Sequence, residues 1–178
     1  FESSFSVGGY GEMHYANKTI GNADATTKLD FHRFITFLNY NFTPEWSFKS
    51  ELELEHNLVK DDNGELELEQ AYVYYQSSDW GFGAGVVLAS TGIINETHEP
   101  PTFLSVERPN YSKYIIPTTW FGNGIFFHKN MGDLNLKFVM MEDLKGEAIA
   151  ADGGSVRDGR GKGYNTTAYS WTKNLNLG

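Results

Sequence analysis

Residues 29–59 read LDFHRFITFLNYNFTPEWSFKSELELEHNLV, and this stretch decides the fold. From Trp46 to Val59 the chain alternates. Trp46, Phe48, Ser50, Leu52 and Leu54 fall on one parity, and Lys49, Glu51, Glu53, Glu55 and Asn57 on the other. A period of two is the mark of a strand with unlike faces. Leu29–Phe42 has apolar residues on both parities and is ambiguous by itself. Folding it back across Thr43-Pro44-Glu45, with Phe42 opposite Trp46, resolves it. Tyr40 then meets Phe48, Leu38 meets Ser50, Thr36 meets Leu52 and Phe34 meets Leu54. Behind them Arg33 falls opposite Glu55 and Asn39 opposite Lys49. Side chains directly opposite share a face, so the hairpin acquires one apolar and one polar side.

The same reasoning extends outward. Phe5–Tyr15 is a half-polar strand, followed by a polar loop, Ala16–Lys28. With Lys60–Gly64 as a hairpin loop, Val59 faces Glu65, Asn57 faces Glu67 and Glu55 faces Glu69. Leu66, Leu68, Tyr72 and Tyr74 then join the apolar face, with Gln70 out of place. After Ser77-Ser78-Asp79, residues Trp80, Phe82, Ala84, Val86 and Leu88 extend that face, and Gly81, Gly83 and Gly85 lie behind. Trp120–His128 and Leu134–Met141 form a further hairpin whose facing the pattern does not fix. Tyr164–Thr172 is the expected eighth strand, and Leu175–Gly178 the expected start of a ninth.

The connections fall into two classes. Thr43–Glu45, Ser77–Asp79 and Lys129–Asp133 are short; Ala16–Lys28, Ser90–Thr118 and Asp143–Gly163 are long, with Lys60–Gly64 the short exception. Short turns at one end, long loops at the other and aromatic residues near strand ends describe an outer-membrane β-barrel. A soluble β-sandwich that binds or cleaves carbohydrate gives a similar alternation, with the apolar face as its core.

Composition narrows the classes. The 178 residues contain no Cys, which excludes disulfides and thiol chemistry. A net charge of −9, with 14 Lys and Arg thinly spread, argues against nucleic acid as a partner. There is no apolar run long enough for a membrane-spanning helix. Aromatics at 15% and 19 glycines suit an all-β chain. The chain opens on Phe1 without a leader, which reads as a processed or trimmed product.

The longest connection, Ser90–Trp120 (STGIINETHEPPTFLSVERPNYSKYIIPTTW), is proline-rich, yet it carries Ile93, Ile94, Phe103, Tyr111 and Ile115. A loop of that length with so many apolar residues is an ordered, functional insertion.

Several segments resemble the bacterial porins of the phosphate-selective O/P type: GGYGEMHY, LDFHRFITFLNYNF, SELELEHN, ELELEQAYVYY, GIINETHEPPTFLSVERPNYSKYIIPTTW and SVRDGRGKG. The resemblance covers nearly the whole chain. It implies a Gram-negative outer-membrane barrel of 16 or more strands, usually a homotrimer, embedded in lipid and lipopolysaccharide. One long loop would fold into the pore. On that comparison residues 1–178 are a single domain forming the N-terminal half of the barrel. Phosphate-selective members owe their anion preference to rows of Lys and Arg. Here the expected lumen wall is Glu51, Glu53, Glu55, Glu65, Glu67 and Glu69, with only Arg33 and Lys49 nearby, and acidic walls favour cations or select weakly.

The chemistry-bearing residues have plain readings beside their sharp ones. Glu51, Glu53 and Glu55 have successive Cα atoms about 7 Å apart, near the carboxylate spacing of an inverting glycosidase. Such a row is more commonly a wet strand wall. Arg33, Glu55 and Glu69 line up across three strands as a structural ion cluster. Glu96, His98 and Glu99 offer metal-ligand types but no helical spacing, so they read as loop anchors rather than a metal site. Glu107-Arg108 reads the same way. SVRDGRGKG lacks the Gly-Lys-Ser/Thr ending of a phosphate loop, leaving Arg157 and Arg160 to pair with acids. The expectation is therefore a non-enzymatic diffusion channel for small hydrophilic solutes, without cofactor, narrowed by Asn95, Glu96, His98, Glu99, Glu107 and Arg108.

Overall fold

In the computed structural model the chain is an all-β antiparallel meander. The structure describes residues 1–178 except 22–23, 62, 106–107, 116, 152, 162–170 and 178, with backbone alone for 113–114 and 171–177. The strands are β1 (Ser4–Lys18), β2 (Thr26–Asn41), β3 (Trp46–Lys60), β4 (Asn63–Gln76), β5 (Trp80–Leu88), β6 (Phe121–Met131), β7 (Leu134–Glu142) and β8 (Trp171–Leu177). They form one sheet in sequence order, with β1 and β8 as its edges.

The central hairpin has the register read from its side chains. Phe34 lies opposite Leu54, Leu38 opposite Ser50, Tyr40 opposite Phe48 and Arg33 opposite Glu55. Thr43 shapes the turn: its Oγ1 accepts from the backbone N–H groups of Glu45 and Trp46 at 3.2 and 3.0 Å.

The next pairing differs from the expected one. β3 and β4 extend to Lys60 opposite Asn63, so the hairpin is tighter than Lys60–Gly64. Beyond it a register shift makes Glu55 face Glu65 and Glu53 face Glu67, in place of the expected Glu69 and its neighbours. His56 absorbs the irregularity at a φ of 58°. The second shift lies between Glu51 and Leu52. Leu52 pairs with Leu68 while Glu51 pairs with Gln70, so Glu69 is an extra, bulged residue. The bulge reverses the parity of everything after it. Ala71, Val73 and Tyr75 continue the apolar face opposite Ser50, Phe48 and Trp46, and Tyr72 and Tyr74 turn to the polar one. Gln70, out of place on an uninterrupted strand, is in place on a bulged one.

β5 has the expected facing, and it orients the following hairpin. Phe82 lies between Tyr75 and Phe127, and Ala84 between Val73 and Ile125. Phe126 and His128 therefore point the other way, over Gly83 and Gly81. A Cβ on Gly83 would sit 2.5 Å from the Phe126 ring. Two of the β5 glycines, Gly81 and Gly83, thus admit the side chains of His128 and Phe126 from β6. The eighth strand, expected at Tyr164–Thr172, is Trp171–Leu177; residues 164–170 lie outside the described residues. Leu175, the expected opening of a ninth strand, pairs within β8 with Phe138.

The two faces of the sheet have opposite character. One is bare and apolar: Phe5, Val7, Met13 and Leu66 are each more than 60% exposed. The other is covered by connections. The long loop contains two short helices, α1 (Gly92–Glu96) and α2 (Tyr111–Tyr114), and a 3₁₀ turn at Pro100–Thr102. A third helix, α3 (Gly146–Ala151), and a 3₁₀ turn at Val156–Gly159 follow β7. Val87, Ala89, Trp120, Val139 and Met141 form the apolar core beneath these loops.

Candidate functional site

The covered face concentrates the charged and polar groups, and the long loop is fastened to it. Asn95, fully buried, closes the loop's neck. Its Nδ2 donates to the carbonyls of Ala89 and Trp120 at 2.7 and 2.9 Å, and its Oδ1 accepts from the Trp120 N–H at 2.8 Å. Asn95 is a clamp of the loop's own backbone, not the solute-facing residue expected from sequence.

His98 joins loop to wall. One ring nitrogen, Nδ1, lies 2.8 Å from the Asn95 carbonyl and the other, Nε2, 2.9 Å from Glu69 Oε2. Burial pulls the His98 pKa down, but the hydrogen bond and negative charge of Glu69, with the charge of Glu99 beside it, outweigh burial and raise it. The bulge at Glu69 therefore has a purpose in packing, since its carboxylate receives the loop histidine.

The neighbouring acids diverge. Glu96 accepts from Ser90 Oγ at 2.7 Å and pairs with Lys137 of β7. Glu99 accepts from the Tyr10 hydroxyl and lies in hydrogen-bond contact with Glu51. Glu96 thus reaches β7, whereas His98 and Glu99 stand together, 3.9 Å apart, over the buried Glu69 and Glu51. Glu107 lies outside the described residues. Arg108 donates to Thr118 Oγ1 and Thr119 Oγ1 at 2.6 and 3.3 Å, and burial, reinforced by Arg33 and Arg157, lowers its pKa.

The wall residues all lie on the covered face, but their ion cluster is not the expected one. Arg33 Nε reaches Glu12 at 2.7 Å and its NH1 reaches Glu53 at 3.1 Å. Arg33 still faces Glu55, but the register shifts take Glu69 out of the expected row, and Glu12 of β1, unremarked in the sequence, takes a share of the guanidinium. Glu51, Glu53 and Glu69 are each within 2% of complete burial. Arg157 and Arg160 donate to the Thr118 carbonyl at 3.4 and 2.9 Å, and Arg160 also to that of Thr119 at 2.6 Å. They bond loop carbonyls, and the negative charge of Glu67 acts on Arg160 across the cavity they share. Burial, with Arg157 nearby, lowers Arg160 to about 10.

Among the described residues, open cavities lie between loops and wall. One, of about 280 Å³, sets Glu55, Glu65 and Glu67 of the wall against Arg108, Arg157 and Arg160 of the loops. Another, of about 390 Å³, is lined by Lys49, Tyr72, Tyr74, Glu96, Phe126 and Lys137 among others. Lys49 Nζ stands 5.0 Å above the Tyr74 ring. The aromatic lining was hidden from the sequence by the bulge, which moved Tyr72 and Tyr74 across the sheet. Such cavities can contact polar solutes with charges of both signs and with ring faces; no nucleophile–base pair of acyl-transfer type accompanies them among the described residues.

No protein-family model and no solved structure matches the chain. An uncharacterized protein of Aquifex aeolicus (strain VF5) is 40% identical over 145 residues, which cover 80% of this chain and 33% of that protein. The chain thus spans about a third of the length of this relative.

Proposed function

We propose that the chain is part of an outer-membrane porin, a passive diffusion channel for small hydrophilic solutes or ions, narrowed by the 90–118 loop. One observation carries this reading: the burial pattern is that of a water-soluble protein turned inside out. Phe5, Val7 and Leu66 lie more than 60% exposed on the bare face, while Glu51, Glu53 and Glu69 are buried on the other. Each large apolar side chain left in water forgoes roughly 1.5–3 kcal/mol, a loss that a hydrocarbon surround removes. Trp46, Tyr75, Trp80 and Phe82 cluster near the short-turn end of the bare face, as an interfacial aromatic girdle does.

The open edges of β1 and β8 fit a sheet that closes with further strands, and a relative about three times as long has room for them. The covered face is then the lumen wall, and the loop's ties through His98, Glu96 and Glu99 hold it within the pore. The loop arginines offset the acidic wall, so the cavity of about 280 Å³ is bipolar rather than purely acidic. The reading extends to lipid and lipopolysaccharide outside and to a trimeric assembly. The test is conductance of the full-length protein in a planar bilayer, where stepwise channels are expected. A detergent-free, monodisperse protein that forms no channels overturns the proposal.

A further inference from the structure

Three histidines and two carboxylates gather at the long-loop end of the covered face, away from the loop anchors. His14 comes from β1, Asp30 and His32 from β2 and His56 from β3. The His14 and His32 rings stack with centroids 4.6 Å apart, and His56 stands edge-on to His32 at 5.6 Å. Asp30 lies at the centre. Its Oδ1 is 2.9 Å from His56 Nδ1 and its Oδ2 3.3 Å from His32 Nδ1. Glu12 braces the cluster from behind, 2.6 Å from His14 Nε2. The side chains of His32 and His56 are 28% and 37% exposed, so ions in solution can reach them.

We propose that Asp30, His32 and His56, with His14 beside them, bind a divalent transition-metal ion of borderline softness such as Zn²⁺, Ni²⁺ or Cu²⁺. Two ring nitrogens and a carboxylate oxygen, all within 4.8 Å of one another, supply the donor types these ions take. Coordination at about 2.0–2.2 Å draws the three atoms together by small side-chain rotations. Each imidazole then carries its proton on Nε2 and offers Nδ1 to the metal. Ca²⁺ and Mg²⁺, which take oxygen donors, are poorly served by this set. His56 is held in place by the β3 irregularity, which sets it at a φ of 58° and turns its ring toward Asp30. Lys28 is the built-in competitor: its Nζ lies 3.0 Å from Asp30 Oδ2, on a side chain exposed enough to swing away. The site does not depend on the channel reading, since it is made by three adjacent strands alone.

The experiment is isothermal titration of the full-length, tag-free protein with ZnCl₂ and NiCl₂, beside His56→Asn, His32→Ala and Lys28→Gln variants. Asn tolerates the left-handed backbone at position 56, so that variant keeps the fold. Saturable binding of one ion is expected. The two histidine variants should weaken it at least about tenfold, the lower end of what even an outer-shell partner contributes. Lys28→Gln should tighten it, because a competing cation is removed while every ligand stays. Absence of saturable binding, or binding that the three variants leave unchanged, overturns the site.

Discussion

Arg33 is the residue on which the covered face depends most. It is nearly buried, and its guanidinium serves Glu12 and Glu53 on two different strands. Breaking a buried pair from one side leaves its partners desolvated and uncompensated, at about 3–5 kcal/mol. Arg33→Met should therefore lower the thermal midpoint markedly and, on the proposed channel function, change the bilayer current; unchanged melting and current would refute a structural ion cluster. His98 makes a second prediction at this scale. Its folded pKa lies above the free value of about 6.5, so its bond to Glu69 contributes fully below that pH. The contribution fades as pH rises through the raised value. Hydrogen-exchange protection in residues 92–102, taken relative to the intrinsic exchange rate at each pH, should fall between mildly acidic and alkaline pH, and His98→Gln should flatten that dependence. A wild-type profile as flat as the variant's would show that the Glu69–His98 pair does not hold the loop.

At the scale of the element, the one-residue bulge of β4 decides which side chains line the covered face. Deleting Glu69 should restore uninterrupted alternation and carry Tyr72 and Tyr74 to the apolar side, Val73 and Tyr75 to the polar side. Cysteines at positions 72 and 73, labelled with a membrane-impermeant maleimide, report this. Position 72 should label in the parent and 73 in the deletion. Glu69→Ala, which keeps the residue count, should leave the parent pattern. Retention of labelling at 72 in the deletion would mean that packing of Ala71 and Val73, not the extra residue, fixes parity. The metal-ligand cluster is likewise an element-scale product. His14, His32 and His56 are far apart along the chain and meet only because three strands run side by side.

The membrane reading belongs to the whole molecule. Trp46 is 38% exposed on the apolar face and Trp80 packs beside it against Phe82, whereas Trp120 is 6% exposed beneath the loop. In single-tryptophan variants reconstituted with brominated lipid, Trp46 and Trp80 should be quenched and Trp120 spared. Equal quenching at all three positions, or none, would contradict a lipid-facing bare side.

Much of this architecture is legible in the chain alone. Alternation of period two reports a strand with unlike faces, and the side chains of 29–59 admit one register in which both faces are consistent. β5 is equally readable, because its small residues and its aromatics occupy opposite parities. The order of short and long connections follows from where alternation stops. The tertiary structure decided the rest. A bulge changes no residue's chemistry, only the count between strands, so Glu69 and the reversal after it are invisible until β4 pairs with β3. The partners of Asn95, His98 and Arg33 are equally non-local. Sequence marks these residues as polar and worth watching, but only the folded sheet, by burying one at the loop's neck and setting the others against Glu69, Glu12 and Glu53, assigns what each one holds.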